Sequence, residues 1–206
     1  MSEAGFILVV DIAVRVEILL YAVCMAAFFY PFMAGKKEQR KSRIKKVLMV
    51  FLIYTVMYFV NMAASVYGWL CMIIVIILLA AASKFLDMNR EFTFFLGVIF
   101  FSIKNLSALI MRSISYFLGK NLEHRAETAE NVFANAAWNY VFVAVLQLIL
   151  FSVMLYAVIR LLKKKTMKLH IKELCYLLLI PITGILFVNI IFNILLIVNE
   201  NTIIQL

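Results

Sequence analysis

Six apolar runs divide the chain, at about residues 6–34, 47–65, 68–83, 92–118, 138–162 and 174–198. A helix needs about 20 such residues to cross the hydrocarbon of a bilayer, and five of the six reach or approach that length. The third is shorter. Only Val66 and Tyr67 separate it from the second, which predicts a tight helical hairpin. Hydrophobic residues make up 66% of the 206, and the mean hydropathy is +1.03. Soluble domains run about 45–50% apolar, and a core of this size cannot bury the surplus. An ordinary soluble fold is therefore excluded. With 6 Gly and 2 Pro the chain is neither low-complexity nor disordered. Nothing alternates with period two, which argues against a β-barrel. The reading is an all-α polytopic membrane protein with one transmembrane domain of six helices over 1–206.

Charge orders these helices. The net charge of +9 raises the question of nucleic acid, but the basic residues cluster beside the apolar runs. That placement fits cytoplasmic loops and makes nucleic acid an unsuitable partner. The loop KKEQRKSRIKK after the first run holds seven basic residues, among them Lys36, Lys37 and Arg40. The loop after the third run offers Lys84 and Arg90. The loop after the fifth offers six, including Lys163, Lys164 and Lys165. The opposite side has only Lys120 and Arg125, diluted by Glu123, Glu127 and Glu130. The asymmetry puts the N-terminus outside and the three basic loops in the cytoplasm, against anionic headgroups. Six crossings then leave the tail NENTIIQL outside, without a basic stop signal. That ending reads as an interruption. The start MSEAGF has no positive n-region, so the first run is expected to remain in the mature protein.

Ionisable groups inside the runs are the strongest functional leads, because hydrocarbon disfavours them. The first run holds Asp11, Arg15 and Glu17; the fourth holds Lys104, with Asn105 beside it, and Arg112. Asp11 and Arg15 share a helix face at i,i+4, which suits a local ion pair. By depth, Asp11 matches Arg112 at a shallow level, and Glu17 and Lys104 both lie deeper. Helices one and four are thus expected to be neighbours, joined by Asp11–Arg112 and Glu17–Lys104. The rival reading starts the first span near Ala13, leaving its first charges in the headgroups. In the sixth run Asn189 and Asn193 share a face suited to interhelical hydrogen bonds, while Pro181 and Gly184 suit a kink or hinge. Asn61 and Gln147 read as interhelical glue. The outer segment KNLEHRAETAENVFANAAW is either a peptide-binding surface or an interfacial helix anchored by Trp138.

Enzyme chemistry finds little support. His124 and His170 have no carboxylate or thiol at catalytic spacing. Cys24, Cys71 and Cys175 lie apart within apolar runs, so they form neither a disulfide framework nor a metal site. A P-loop, GxSxG, HExxH and Gly-rich nucleotide loop are all absent from the sequence. No cofactor or metal is expected.

The basic loop after helix one, the stretch FFSIKNLSALIMRSISYFL and the stretch LLLIPITGILFVNIIFNILLIV together carry a resemblance. The chain resembles the N-terminal membrane sensor of GHKL-type histidine kinases, relatives of the accessory-gene-regulator peptide receptors of Gram-positive bacteria. The resemblance covers essentially the whole chain and rests on diffuse hydrophobic motifs. It implies a bacterial cytoplasmic membrane, a homodimer, an extracellular peptide or amphiphile as signal, and a cytoplasmic kinase as its target. The phosphoacceptor helix and ATP-binding domain of that family do not occur within these 206 residues, and His170 does not fit the phosphoacceptor role. No binding residue transfers from the family. Two other readings stay open: a small-solute transporter or permease subunit, with Glu17, Lys104 and Arg112 lining a path, and a non-catalytic interaction or immunity protein.

Overall fold

The computed structural model describes residues 2–33, 40–64, 68–122 and 129–164. These form five helices: α1 Glu3–Phe29, α2 Arg40–Ala64, α3 Gly68–Ala81, α4 Arg90–Leu122 and α5 Ala129–Lys164. No strand occurs among the described residues. Three segments are long and apolar enough to cross a membrane: Ser42–Ala63, Arg90–Met111 and Asn135–Leu162. The apolar stretch of α3 is shorter, and α1 carries four charged residues, Glu3, Asp11, Arg15 and Glu17, within its 27 residues. The sixth run, 174–198, lies outside the described residues.

Local chemistry sets the helix ends. Ser2 Oγ accepts the Gly5 N–H at 3.3 Å, and Glu3 in the first turn suits the positive end of the helix dipole. Pro31 lies in the 3-10 turn Tyr30–Phe32 that follows α1. It has no N–H to continue the ladder, so the α-helix stops before it. Helix α2 begins at Arg40, seven residues before the apolar run expected from sequence. Lys and Arg are good helix formers, so the second half of the basic loop is helical. Between α3 and α4, Asp87 has φ of 52°, a left-handed position that Asp tolerates better than most residues. The turn is closed by Met88 N–H donating to Ser83 O at 3.0 Å.

The outer segment expected over 120–138 is largely helix. Helix α4 continues to Leu122 and α5 starts at Ala129. The described part of it at the start of α5, AENVFANAAW, is mostly Ala, Asn and Glu with no Pro or Gly, which suits helix. Trp138 stands 75% exposed on α5, with its ring directed away from the bundle.

The helices form a closed ring in chain order. Each packs against its sequence neighbour, and α5 returns to α1. Ile18, Tyr21, Ala22, Met25 and Phe29 recur at helical spacing along one stripe of α1 and are buried. The opposite stripe, including Leu8, Ile12, Val16 and Leu20, is exposed and equally apolar. A helix apolar on both stripes suits a bundle surrounded by hydrocarbon. Aromatic rings fill the middle of the ring. Phe100 of α4, fully buried, meets Phe151 of α5 at 5.2 Å, Phe28 of α1 at 6.1 Å and Tyr54 of α2 at 6.1 Å.

One end of the ring gathers the beginnings of three loops. The Lys46 ammonium at the foot of α2 pairs with the Asp87 carboxylate between α3 and α4. Leu162, near the end of α5, packs against Phe95 near the start of α4, and Phe32, just after α1, meets Phe92 at 5.6 Å. The described helix ends that border the three basic loops therefore lie at a common end of the bundle.

Candidate functional site: a lysine among tyrosines

Lys104 lies 14 residues into α4, about 20 Å from its first residue at 1.5 Å per residue. Its ammonium enters the centre of the ring, where it donates to Tyr54 Oη at 2.8 Å and Tyr58 Oη at 3.3 Å. It also stands over three ring faces. The centroids of Tyr58, Tyr21 and Tyr54 lie at 4.4, 4.5 and 5.4 Å. Tyr54 and Tyr58 are one helical turn apart on α2, and their rings stack at 4.4 Å. The i,i+4 spacing presents both hydroxyls to the same cation. Each phenol offers a π face and an oxygen, so three tyrosines replace much of the water an ammonium loses on burial.

The cluster binds the ring together. Tyr21 of α1 accepts a hydrogen bond from Gln147 Nε2 of α5 at 2.8 Å, and its ring meets Phe151 edge-on at 5.0 Å. Four helices thus contribute side chains to one polar knot: α1 through Tyr21, α2 through Tyr54 and Tyr58, α4 through Lys104, α5 through Gln147. Helix α3 joins next to it. Asn105 Nδ2 approaches Met72 Sδ at 3.9 Å, and Cys71 Sγ approaches Met57 O of α2 at 3.5 Å. Ser107 Oγ donates to the Lys104 carbonyl at 2.8 Å, which satisfies its hydroxyl locally.

Of the two charge pairs expected between helices one and four, Asp11–Arg112 falls on a side chain outside the described residues, and Glu17–Lys104 is an electrostatic approach without a direct ion pair. Asp11 pairs with Arg15 on its own helix at 2.9 Å, the i,i+4 contact its spacing predicts. The side chain of Arg112 lies outside the described residues. Glu17 is near enough to Lys104 for a Coulombic interaction, but the ammonium bonds to phenols instead. Helices α1 and α4 meet across the ring through Tyr21–Lys104 and Phe28–Phe100, while their lateral neighbours are other helices. Depth places Glu17 and Lys104 in the same region but does not point to the tyrosines, because a phenol inside an apolar run carries no charge to mark it. One signal was available: Tyr54 and Tyr58 are an i,i+4 pair inside an apolar run.

Glu17 borders a groove of about 300 Å³ on the outside of the α1–α5 seam. The rest of that groove is apolar, with Ile12, Val16, Ala144, Val145 and Leu148 among its walls. Gln147 joins α5 to α1, as its reading as glue anticipates; Asn61 Oδ1 is buried with no hydrogen-bond partner among the described residues. The side chains of Lys36, Lys37, Arg40, Lys163, Lys164 and Lys165, and all of Pro181, Gly184, Asn189 and Asn193, lie outside the described residues. Among the described residues, no group of three or more His, Cys, Asp or Glu side chains is placed to hold a metal.

Taken together, these features define an all-helical bundle with membrane-length apolar helices and a central lysine–tyrosine knot. Comparison with protein-family models, with curated proteins and with solved structures finds no match.

Proposed function

We propose that the chain is the membrane sensor module of a two-component signalling histidine kinase of the GHKL type. It sits in a bacterial cytoplasmic membrane as six spans with the N-terminus outside. It perceives an extracellular peptide or amphiphile and passes the signal to a cytoplasmic kinase, working as a homodimer. The sequence resemblance supports this reading, and the observation that carries it is the Lys104 knot. A signal that shifts one helix must change contacts on the others if it is to reach the far side. A single ammonium sharing partners with three tyrosines on two helices, and through Tyr21 with a third, has that property. Alternative hydroxyl and ring contacts are available to it at similar distances, which suits an element with more than one arrangement.

The test uses the native host. Adding the peptide fraction of its own spent medium changes the transcript profile of cells carrying the wild-type chain. The Lys104→Met variant, present in the membrane at the wild-type level, abolishes that change. An unaltered response in the variant contradicts the role given to Lys104. Loss of uptake of a small solute in Lys104→Met, with no transcript response in either strain, overturns the sensor reading in favour of a transporter.

A further inference from the structure

We propose that the groove between α1 and α5 binds a single-chain amphiphile with an uncharged hydroxyl head, the hydroxyl donating to Glu17. This deepens the sensor reading, on which its signalling consequence rests; the binding itself is tested apart from signalling.

The groove is built from two described helices. It runs along residues 9–20 of α1, about 16 Å at 1.5 Å per residue, and along residues 141–148 of α5. Two small side chains, Ala13 on one wall and Ala144 on the other, leave the space. Its volume of about 300 Å³ is about twice that of an apolar cavity able to hold benzene. Length and volume together suit one alkyl chain.

Glu17 selects the head group. Among these described walls it alone is polar. Among the described residues its electrostatic partner is Lys104, and no side-chain hydrogen bond reaches its carboxyl. The Lys104 ammonium donates to Tyr54 and Tyr58 instead. Glu17 therefore has acceptor capacity to spare at the groove. A bare alkyl chain fills the space but leaves that capacity unmet where hydrocarbon makes it costly. An alkylammonium meets it, but adds a second cation near Lys104, whose charge Glu17 already offsets. A fatty acid brings a like charge against Glu17. A hydroxyl donates without changing the charge balance, and a hydrogen bond to a carboxylate is among the stronger ones. Shape and charge together favour the neutral amphiphile.

The site adjoins the knot. Tyr21 lies one turn beyond Glu17 on α1, and its bond with Gln147 closes the seam where the groove ends at Leu20 and Leu148. A hydroxyl bound to Glu17 weakens the field that this carboxyl exerts on Lys104. Occupancy of the groove is thereby felt by the ammonium that α1, α2 and α4 share.

Photolabelling of the full chain in phospholipid nanodiscs tests the site, using a dodecanol analogue with a mid-chain diazirine. The expected labels fall within residues 9–20 and 141–148. Unlabelled dodecanol competes about tenfold or more better than dodecane or dodecylamine, the advantage of one hydrogen bond to a charged group. Ala144→Leu, which fills the groove, removes the competable labelling. Glu17→Leu removes the advantage of dodecanol over dodecane. Equal competition by dodecane in the parent chain makes the groove an ordinary lipid seam and overturns the proposal, whatever the variants do. Stronger competition by dodecylamine overturns the neutral head. Labelling unchanged by Ala144→Leu places the probe elsewhere and also overturns it. The expected labelling, in a chain whose host shows no transcript response to dodecanol or to spent medium, supports the site and counts against the sensor role alone.

Discussion

Lys104 is a residue whose removal separates folding from function. Burying its charge is costly, and its phenol partners offset that cost only in part. Replacement by a flexible apolar side chain removes both the charge and its solvation penalty. Lys104→Met is therefore expected to shift the thermal midpoint in detergent by no more than about 3 °C, or to raise it. A fall of more than about 10 °C, equivalent to several kcal/mol, would make the knot a structural necessity instead. Tyr21→Phe acts differently. It leaves the Gln147 amide without its partner at the α1–α5 seam, and about 1–2 kcal/mol of stability is expected to be lost. Chemical denaturation of the variant measures that loss. Reversing the charges at 17 and 104 together is expected not to rescue either single reversal, because a carboxylate at 104 gains no attraction from three ring faces. Membrane yield of the double variant reads this directly. The importance of Lys104 was legible in the sequence, since a cation in the middle of an apolar run stands out. Its partners were not, because Tyr21, Tyr54 and Tyr58 lie on other helices and only the ring brings them together.

At the scale of helices, two contacts control packing. Phe100 touches rings on α1, α2 and α5, so it is the piece that fills the centre. In a bilayer its packing depends on close contact more than on escape from water. Phe100→Ala leaves a cavity there and is expected to cost about 3 kcal/mol, seen as a lowered thermal midpoint. Gly97 lets α4 approach α3. A Cβ there would stand 3.3 Å from Ile76 Cγ1, closer than an ordinary contact. Ala fits with a small shift of Ile76, whereas Gly97→Leu is expected to separate the two helices. A Met72→Cys/Asn105→Cys disulfide is expected to form across this interface when Gly97 is kept and to be lost when it is replaced by Leu. The five described helices coincide with five of the apolar runs, because hydropathy alone determines which stretches must be shielded from water. Their ends were harder to place. Helix α2 takes in part of the basic loop and α5 takes in part of the segment between the fourth and fifth runs, since Lys, Arg and Glu favour helix without adding to the hydrophobic signal.

The whole molecule has one end where Lys46, Asp87 and Leu162 gather, and the described helix ends that border the basic loops lie there. If that end faces the cytoplasm, a cysteine at position 37 or 165 reacts with a membrane-impermeant maleimide only after cells are opened. A cysteine at 125 reacts in intact cells. The reverse pattern contradicts the assigned orientation. That these helix ends lie together was legible from Lys and Arg counts; closure of the ring between α1 and α5 was not, since no local pattern in either run encodes a contact 126 residues away between Tyr21 and Gln147. In the proposed function the bundle is the input half of a kinase. Reading the gene beyond the codon for Leu206, in all three frames, tests it most directly. The account predicts a helix returning to the cytoplasm, then a long helix with a phosphoacceptor His, then an ATP-binding domain. A stop codon at that point in the transcript, with no kinase sequence in any frame, would contradict it.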